Sequence, residues 1–434
     1  MTFLDKIHSF FIRTHIQNLT LKSERLEYLG MIRNYLVRVL FFFLTLFVAD
    51  FANAEKKPPM KAFAALTRAG PNFDFISKVP TNTVAIPTTG SLYKNDIVYY
   101  LPTVVSVVEN DGDEFELKYK ISIAKVGKAS KTIAGDTFKA KLPDKRIIIP
   151  LPLTIKYMFE DSDEYGTYEL LLEVQNIKTG ERAEVKTPIK LIEWVKPEAI
   201  QDQKEFNAAI IKFNTSFDPK KIYSIFTSPH MTFFDRDGNL AYAVCGFFKT
   251  AFKRNQFLLA ELEKEFPSAS ENQRKNTIQL FEILGASDRL KGLDKSEETL
   301  RDSMREIVLS MPKSDSKPNS GAVLDFLWGE FFGSGESAPI EKIISCAIDN
   351  SANCVKLSEL ARAGKPVKEE MSDVEIFLGA TAMSACWSLL SNCNANELAK
   401  KYVSWNLGKM PKESLKAFNA AIEATSKYSS NKSK

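Results

Sequence analysis

Five cysteines, Cys245, Cys346, Cys354, Cys386 and Cys393, are the side chains of this sequence with the richest covalent chemistry, and all lie in its second half. In an oxidising compartment such thiols can cross-link. Cys386 and Cys393 are seven positions apart in what reads as one helix. Two helical turns separate Cα atoms by roughly 10 Å, beyond the ~7 Å that a disulfide spans. These two can join each other only if the helix ends before Asn392. Cross-links from Cys346 and Cys354 to Cys386 and Cys393 are equally open, and the sequence fixes no pairing. Cys245, between Val244 and Gly246 in an apolar run, is expected to be a buried odd thiol. The spacings do not match a zinc site and no histidine is near, so no metal ligand is assigned.

Histidine is scarce: His8, His15 and His230 are all there are. His230 stands in Ser228-Pro229-His230-Met231, just ahead of Asp235 and Asp237, and reads as a loop histidine rather than an acid/base centre. The run Asp235-Arg236-Asp237-Gly238-Asn239 invites comparison with a calcium loop. An EF-hand needs glycine at its sixth position and glutamate at its twelfth; Leu240 and Gly246 stand there instead. A tight turn leading into a helix is expected. Gly333-Ser334-Gly335-Glu336-Ser337 has neither the glycine spacing nor the Lys-Ser/Thr pair of a phosphate loop, and reads as a helix connector with Ser337 as N-cap. Asp325 and Glu330 are the only acids in the apolar stretch 323–332, and their spacing of five puts them on different helical faces. Gly379, Ala380, Ala382, Ser384 and Ala385 make one helix small-sided, which favours close internal packing over a partner groove. No catalytic or cofactor-binding residue is assigned, and no cofactor is implied.

The elements that would position these residues fall into two halves. From about residue 73 to 196 the hydrophobic period is two. Phe115, Leu117, Tyr119, Ile121 and Ile123 alternate with polar neighbours, as in a strand with one buried face. An apolar strand at 97–108 and the Asn110-Asp111-Gly112 turn precede it. Tyr168, Leu170, Leu172 and Val174, then Lys178-Thr179-Gly180, then Ala183, Val185, Thr187, Ile189 and Leu191, read as a hairpin. Residues 146–159 are β-rich, but Pro150 and Pro152 confine them to an edge or bulge. Asp163-Glu164-Tyr165-Gly166-Thr167-Tyr168 is similar, with one extra residue, to the tyrosine corner of immunoglobulin-like domains. From 202 to 428 the period becomes helical, with about ten helices. Asp218-Pro219 gives a cap and a proline at N1, and Ser372 to Glu375 and Asn394 to Glu397 both have capping-box spacing. Aromatic clusters Phe247-Phe248…Phe252 and Leu327-Trp328…Phe331-Phe332 hint at a repeat, or at two core helices. The fold class expected is therefore multidomain: an immunoglobulin-like antiparallel β-sandwich, then an α-helical bundle or short α-solenoid of helical hairpins.

The N-terminus carries an address. Residues 39–49 read VLFFFLTLFVA, preceded by Arg33 and Arg38 and followed by Ala52-Asn53-Ala54. A basic flank, a short apolar core and small residues at −3 and −1 make a secretory signal with cleavage after Ala54. The core is shorter than the roughly 20 apolar residues of a membrane span. Met31 gives a conventional start, so residues 1–30 are read as a misassigned beginning. Residues 55–72 read as a flexible lead-in and 429–434 as a disordered tail. The 434 residues hold 58 basic and 54 acidic groups, a net charge of +4. Removing 1–54 takes 6 and 4 of these respectively, leaving about +2, which argues against nucleic-acid or membrane-surface binding by bulk charge.

This plan, with LDFLWGEFFGSG and ACWSLLSN in its helical half, resembles that of secreted bacterial proteins of uncharacterised function, in which an immunoglobulin-like module precedes helical hairpins. The resemblance implies architecture and export, and carries no catalytic residue. The function expected is that of an exported, non-enzymatic binding or scaffold protein of the cell envelope. It would be periplasmic or secreted, with no stable membrane span after cleavage, and would take another protein or an envelope component as partner. The alternative is a carboxylate-dependent hydrolase acting on cell-wall or host polymers in an interdomain cleft.

Overall fold

The computed structural model describes residues 60–68, 88–105, 114–141, 148–150, 155–235 and 237–431. The export segment, Asn110-Asp111-Gly112, Pro152, Arg236 and the Phe115 side chain lie outside the described residues. The chain forms a β region followed by an α region, as its two hydrophobic periods require.

The strands are β1 (Lys61–Thr67), β2 (Ser91–Leu92), β3 (Val98–Val105), β4 (Glu114–Lys125), β5 (Lys131–Lys141), β6 (Ile148–Pro150), β7 (Ile155–Tyr157), β8 (Gly166–Asn176) and β9 (Arg182–Leu191). One sheet has the order β2-β9-β8-β4-β5; in the other, β3 pairs with β1 on one side and with the short β6 and β7 on the other. All of these pairings are antiparallel except β2 with β9, which is parallel. The period-two pattern of β4 and β8 buries Leu117, Tyr119, Ile121 and Ile123 beside Tyr168, Leu170, Leu172 and Val174, while Val98, Tyr100 and Val104 are buried in the facing sheet. Each fully buried side chain of this kind contributes about 1.5–3 kcal/mol.

The hairpin turn forms at Asn176, whose Oδ1 accepts from the backbone N–H of Lys178 at 2.9 Å, and Gly180 takes the required positive φ of 74°. The Tyr168 hydroxyl donates to the Glu164 carbonyl at 2.7 Å and ties the loop to the start of β8. The bond runs from the tyrosine back to a main-chain carbonyl four residues upstream, the kind of contact that a tyrosine corner makes. Residues 61–67, read from composition as part of a flexible lead-in, instead form β1, paired with β3 from Lys61 to Thr67. Backbone pairing and the burial of Ala62, Leu66 and Thr67 outweigh that segment's Lys- and Ala-rich composition.

The helices are α1 (Gln203–Lys212), α2 (Pro219–Phe226), α3 (Tyr242–Arg254), α4 (Phe257–Glu265), α5 (Glu271–Ile283), α6 (Lys295–Ser310), α7 (Gly321–Ser334), α8 (Ala338–Asp349), α9 (Ser351–Arg362), α10 (Val367–Glu370), α11 (Asp373–Ala395), α12 (Glu397–Lys409) and α13 (Lys412–Asn431). The Asp218 cap and the Ser372 capping box form as their spacing predicts. The Asn394 box does not: α11 runs on through Ala395, and Asn396 caps α12 by accepting from the Ala399 N–H at 3.0 Å. At the C-terminus α13 continues to Asn431, into the segment expected as a disordered tail.

The two aromatic clusters are two core helices packed on each other, α3 and α7. Glycines set their separation. A Cβ on Gly329 would stand 2.0 Å from the Ala243 carbonyl oxygen, and one on Gly246 would stand 2.2 Å from that of Phe326. The phenylalanines beside this crossing are fully buried, and Phe247 and Phe248 meet edge-on with centroids 5.0 Å apart. The small-sided helix is explained similarly. Gly379 of α11 leaves no room for a Cβ, which would lie 2.7 Å from the Asn353 carbonyl oxygen of α9.

Candidate functional site

The most elaborate polar and aromatic arrangement lies where the β region meets the helices. The sequence dictates it through one extended linker. β9 ends at Leu191, and the chain then runs without regular structure to Asp202, which caps α1. This linker is bonded along its length. The Ile192 N–H donates to the Leu92 carbonyl at 2.9 Å, the Ile200 N–H to the Ser224 carbonyl at 3.1 Å, and the Ser228 hydroxyl to the Ile200 carbonyl at 2.6 Å.

Trp194 leaves the linker into a cluster of rings. Its centroid lies 5.0 Å from Tyr93, 5.4 Å from Phe257 and 5.8 Å from Tyr223, edge-on in each case. Tyr93 follows β2, so the cluster joins both regions. On the sheet side, Asp96 is fully buried and takes three hydrogen bonds from Arg68: two from Nε, at 3.2 and 3.0 Å, and one from Nη2 at 2.6 Å. Arg68 also donates to the Ser91 carbonyl at 2.7 Å and to the Thr89 hydroxyl at 2.9 Å. A buried carboxylate needs this degree of satisfaction. On the helix side, the Tyr223 hydroxyl donates to Glu265, which also pairs with Lys196 at 2.8 Å. Burial, with the Glu265 carboxylate second, raises the Tyr223 phenol; burial, followed by the Asp218 charge, pushes Tyr93 up to about 12. Both phenols therefore stay protonated at any physiological pH. Beside the cluster, Lys196, Pro197, Glu198, Ala199, Gln201, Thr227 and Gln273 line a shallow groove of about 500 Å³.

His230 takes its place in this linker system. Its Nε2 donates to the Gln201 carbonyl at 2.8 Å, and its ring meets Phe206 at 6.3 Å. Asp235 lies in a closed turn: its Oδ1 accepts from the backbone N–H of Asp237 at 2.9 Å and of Asn239 at 2.8 Å. Glu330 is buried, accepts from the Ser314 hydroxyl and has Lys249 at 3.9 Å. Asp325, on another face of the same helix as its spacing predicts, retains exposed surface, while desolvation by the packed atoms around it pushes its carboxyl up to about 6. Gly335 closes α7 in a left-handed conformation and accepts at its carbonyl from the Tyr402 hydroxyl at 3.0 Å. Ser337 occupies the N-cap position of α8 but makes no side-chain cap bond, and its hydroxyl donates to Glu341 at 2.8 Å. Its α-helical backbone angles, φ −74° and ψ −27°, depart from the extended conformation typical of a capping residue.

The cysteines are free thiols. Cys245, Cys346, Cys354 and Cys386 are buried and Cys393 is half-buried. Because α11 does not end before Asn392, Cys386 and Cys393 stay two turns apart on one helix. Burial pushes Cys245, Cys346 and Cys386 up to about 12, and Cys354 and Cys393 up to about 11. Among the described residues no group of three or more His, Cys, Asp or Glu is arranged to hold a metal ion. The junction itself has no signature in the sequence. Arg68, Tyr93, Trp194 and Tyr223, with Phe257 and Glu265 at the two ends of α4, stand on five separate segments, and no sequence motif links them.

No family model and no curated protein matches the chain. Among solved structures, a family 123 glycoside hydrolase from Clostridium perfringens aligns at TM-score 0.18 and 10% identity, over 38% of this chain and 37% of its own. A Bacteroides uniformis β-glucuronidase aligns at TM-score 0.22 and 7% identity, over 64% and 34%. An Escherichia coli α2-macroglobulin fragment aligns at TM-score 0.19 and 10% identity, over 81% and 66%. The chain thus spans about a third of the length of the two glycosidases, and likenesses of this size carry no functional argument.

Proposed function

We propose that this chain is an exported, non-enzymatic binding or scaffold protein of the bacterial cell envelope, periplasmic or secreted after cleavage at Ala54. In this reading the β-sandwich holds the helical region in a fixed attitude and the helices offer the surface that meets a partner protein or envelope component. The observation that carries the reading is the use made of the reactive side chains. His230 braces the linker, Asp235 closes a turn, Glu330 takes Ser314, and four of the five thiols are buried in the helical core. The helical surface meanwhile exposes Val374 at 66% and Phe377 at 41%, one turn apart on α11. That helix is long and apolar enough to cross a membrane, and 39% of its most apolar window is buried within the protein. We read it as a packing helix with one face left for contact.

The test is retention of a defined partner from an envelope extract by the mature chain beginning at Glu55. Loss of that partner in Phe377→Asp, with the fold intact by circular dichroism, supports the reading. Failure to retain any component, together with hydrolysis of envelope polymer, overturns it. Asp325 is the observation that favours the hydrolase alternative, since a carboxyl at about 6 suits a general acid. Hydrolysis with a pH limb near 6 that Asp325→Asn removes would establish that alternative.

A further inference from the structure

The hairpin of β4 and β5 ends its sheet. Among the described residues β4 is the one ladder partner of β5, so the opposite edge of β5 is open from Lys131 to Lys141. The register decides which groups that edge presents. The Ile177 N–H donates to the Glu116 carbonyl at 2.9 Å, so Glu116 aims its backbone at β8, and Lys118 and Lys120 do the same by alternation. Their partners on β5, Lys139, Thr137 and Gly135, therefore turn their backbone N–H and C=O groups outward. The Thr137 N–H is met at 2.7 Å by the Oδ1 of neighbouring Asp136, a side chain in the place of a strand.

The charge at this edge is one-sided. Residues 114–141 hold seven lysines against three acids, an excess equal to that of the whole 434-residue chain. Lys118 and Lys139 are exposed on one face of the hairpin, with Glu116 at 3.0 Å from Lys139. Lysines along an edge keep identical edges apart, and a second copy of β5 laid on the first would set like charges opposite each other. The same lysines attract a strand of the opposite sign. We propose that β5 accepts an extended acidic segment of another protein as a sixth strand of this sheet. Backbone bonds to Gly135, Thr137 and Lys139 hold the segment, and its acidic side chains meet Lys118 and Lys139. This contact surface is separate from the helical face of α11 and does not depend on it.

The experiment titrates residues 55–434, which contain every described element, with a labelled nonapeptide of alternating glutamate and threonine at low salt, read by fluorescence anisotropy. The control peptide carries lysine in place of glutamate. The acidic peptide should bind about tenfold or more tighter than the control, with new amide-exchange protection at Gly135, Thr137 and Lys139. Asp136→Ala frees the Thr137 N–H and removes the acid at the edge, so it should tighten binding severalfold. Thr137→Pro removes that N–H without touching the β4 ladder and should weaken binding about tenfold. The double variant Lys118→Gln, Lys139→Gln should weaken it by a similar factor, about tenfold. Circular dichroism and melting temperature check the fold of each. Phe377→Asp, which tests the helical face, should bind the peptide as the wild type does. No binding, or equal affinity for the two peptides, overturns the proposal. So does weakening in the lysine double variant with Thr137→Pro folded and unchanged, which marks a patch for any polyanion and not an added strand.

Discussion

Gly329 of α7 and Ala243 of α3 are so close that a single methyl group cannot be inserted between them: a Cβ on Gly329 would lie 2.0 Å from the Ala243 carbonyl oxygen and 2.7 Å from the Phe247 nitrogen. The obstacles are backbone atoms, which cannot rotate away as a side chain would. Gly329→Ala should therefore force the two central helices apart and cost about 3 kcal/mol. Gly408→Ala is the control, since nothing lies within 4 Å of a Cβ there. It should be neutral or stabilise by about 0.5 kcal/mol through helix propensity. Urea midpoints of the two variants check both, and equal effects would contradict the crossing.

Arg68→Ala leaves the Asp96 carboxylate buried without its partner, and should destabilise by about 3–5 kcal/mol. Arg68→Lys should recover only part of this loss, because an ammonium cannot reproduce the fork that reaches Asp96, Thr89 and Ser91 together. The double variant Arg68→Ala, Asp96→Ala should be more stable than Arg68→Ala alone, since it removes the orphaned charge. Denaturant unfolding of the three variants measures these differences.

Arg274 grips Glu297 with two parallel bonds, at 2.6 and 2.7 Å, and also donates to the Phe266 carbonyl at 3.0 Å, so it ties α5 to α6. The Arg274 guanidinium holds the Glu297 carboxyl below its usual value of 4.5. A depressed carboxyl contributes stability that is complete above the unfolded value and lost as pH falls through the folded one. The urea midpoint should therefore drop on acidification from about pH 5 downward, and Glu297→Gln should flatten that part of the profile. An identical acid limb in the variant would exclude this pair as a contributor.

Asp325 works with the opposite sign. Its carboxyl is raised to about 6, so its ionisation opposes folding, and stability is lost as pH rises from the ordinary carboxylate range through about 6. Asp325→Asn should gain relative to the wild type at pH 7 and not at pH 3. Parallel melts at the two pH values decide it.

In the reduced, folded chain Cys245, Cys346, Cys354 and Cys386 should resist iodoacetamide at pH 8, because burial both blocks access and keeps thiols raised to about 11–12 protonated. Cys393 should react first, and all five after unfolding in reductant. Peptide mass spectrometry identifies the order, and early labelling of Cys354 would contradict its burial.

The β half was legible where one face of a strand is buried and the other wet, since that asymmetry writes period two into the sequence. Leu117 to Ile123 and Tyr168 to Val174 are such cases. β5 escaped notice because it is the sheet's edge: Thr132, Gly135, Asp136 and Thr137 are exposed, and no alternation is imposed on them. β1 escaped because its burial does not alternate strictly, Leu66 and Thr67 both being inside. In the helical half, caps with an extended residue before an apolar run were readable, as at Ser372. Asn394 and Asn396 offered two asparagines near one boundary, and only the depth of packing of α11 decides between them. The ring cluster around Trp194 was not readable, because its members converge only after both regions have folded.

That cluster has a consequence for anyone who cuts the chain. The change of period near residue 197 looks like a natural seam, yet Tyr93 lies on one side of it and Phe257, Tyr223 and Glu265 on the other, with Trp194 and Lys196 at the seam itself. A fragment beginning at residue 202 would begin life with naked ring faces and an unclaimed glutamate, and would tend to clump. The two regions are better kept in one fragment, because the linker residues Trp194 and Lys196 pack against α2 and α4 directly.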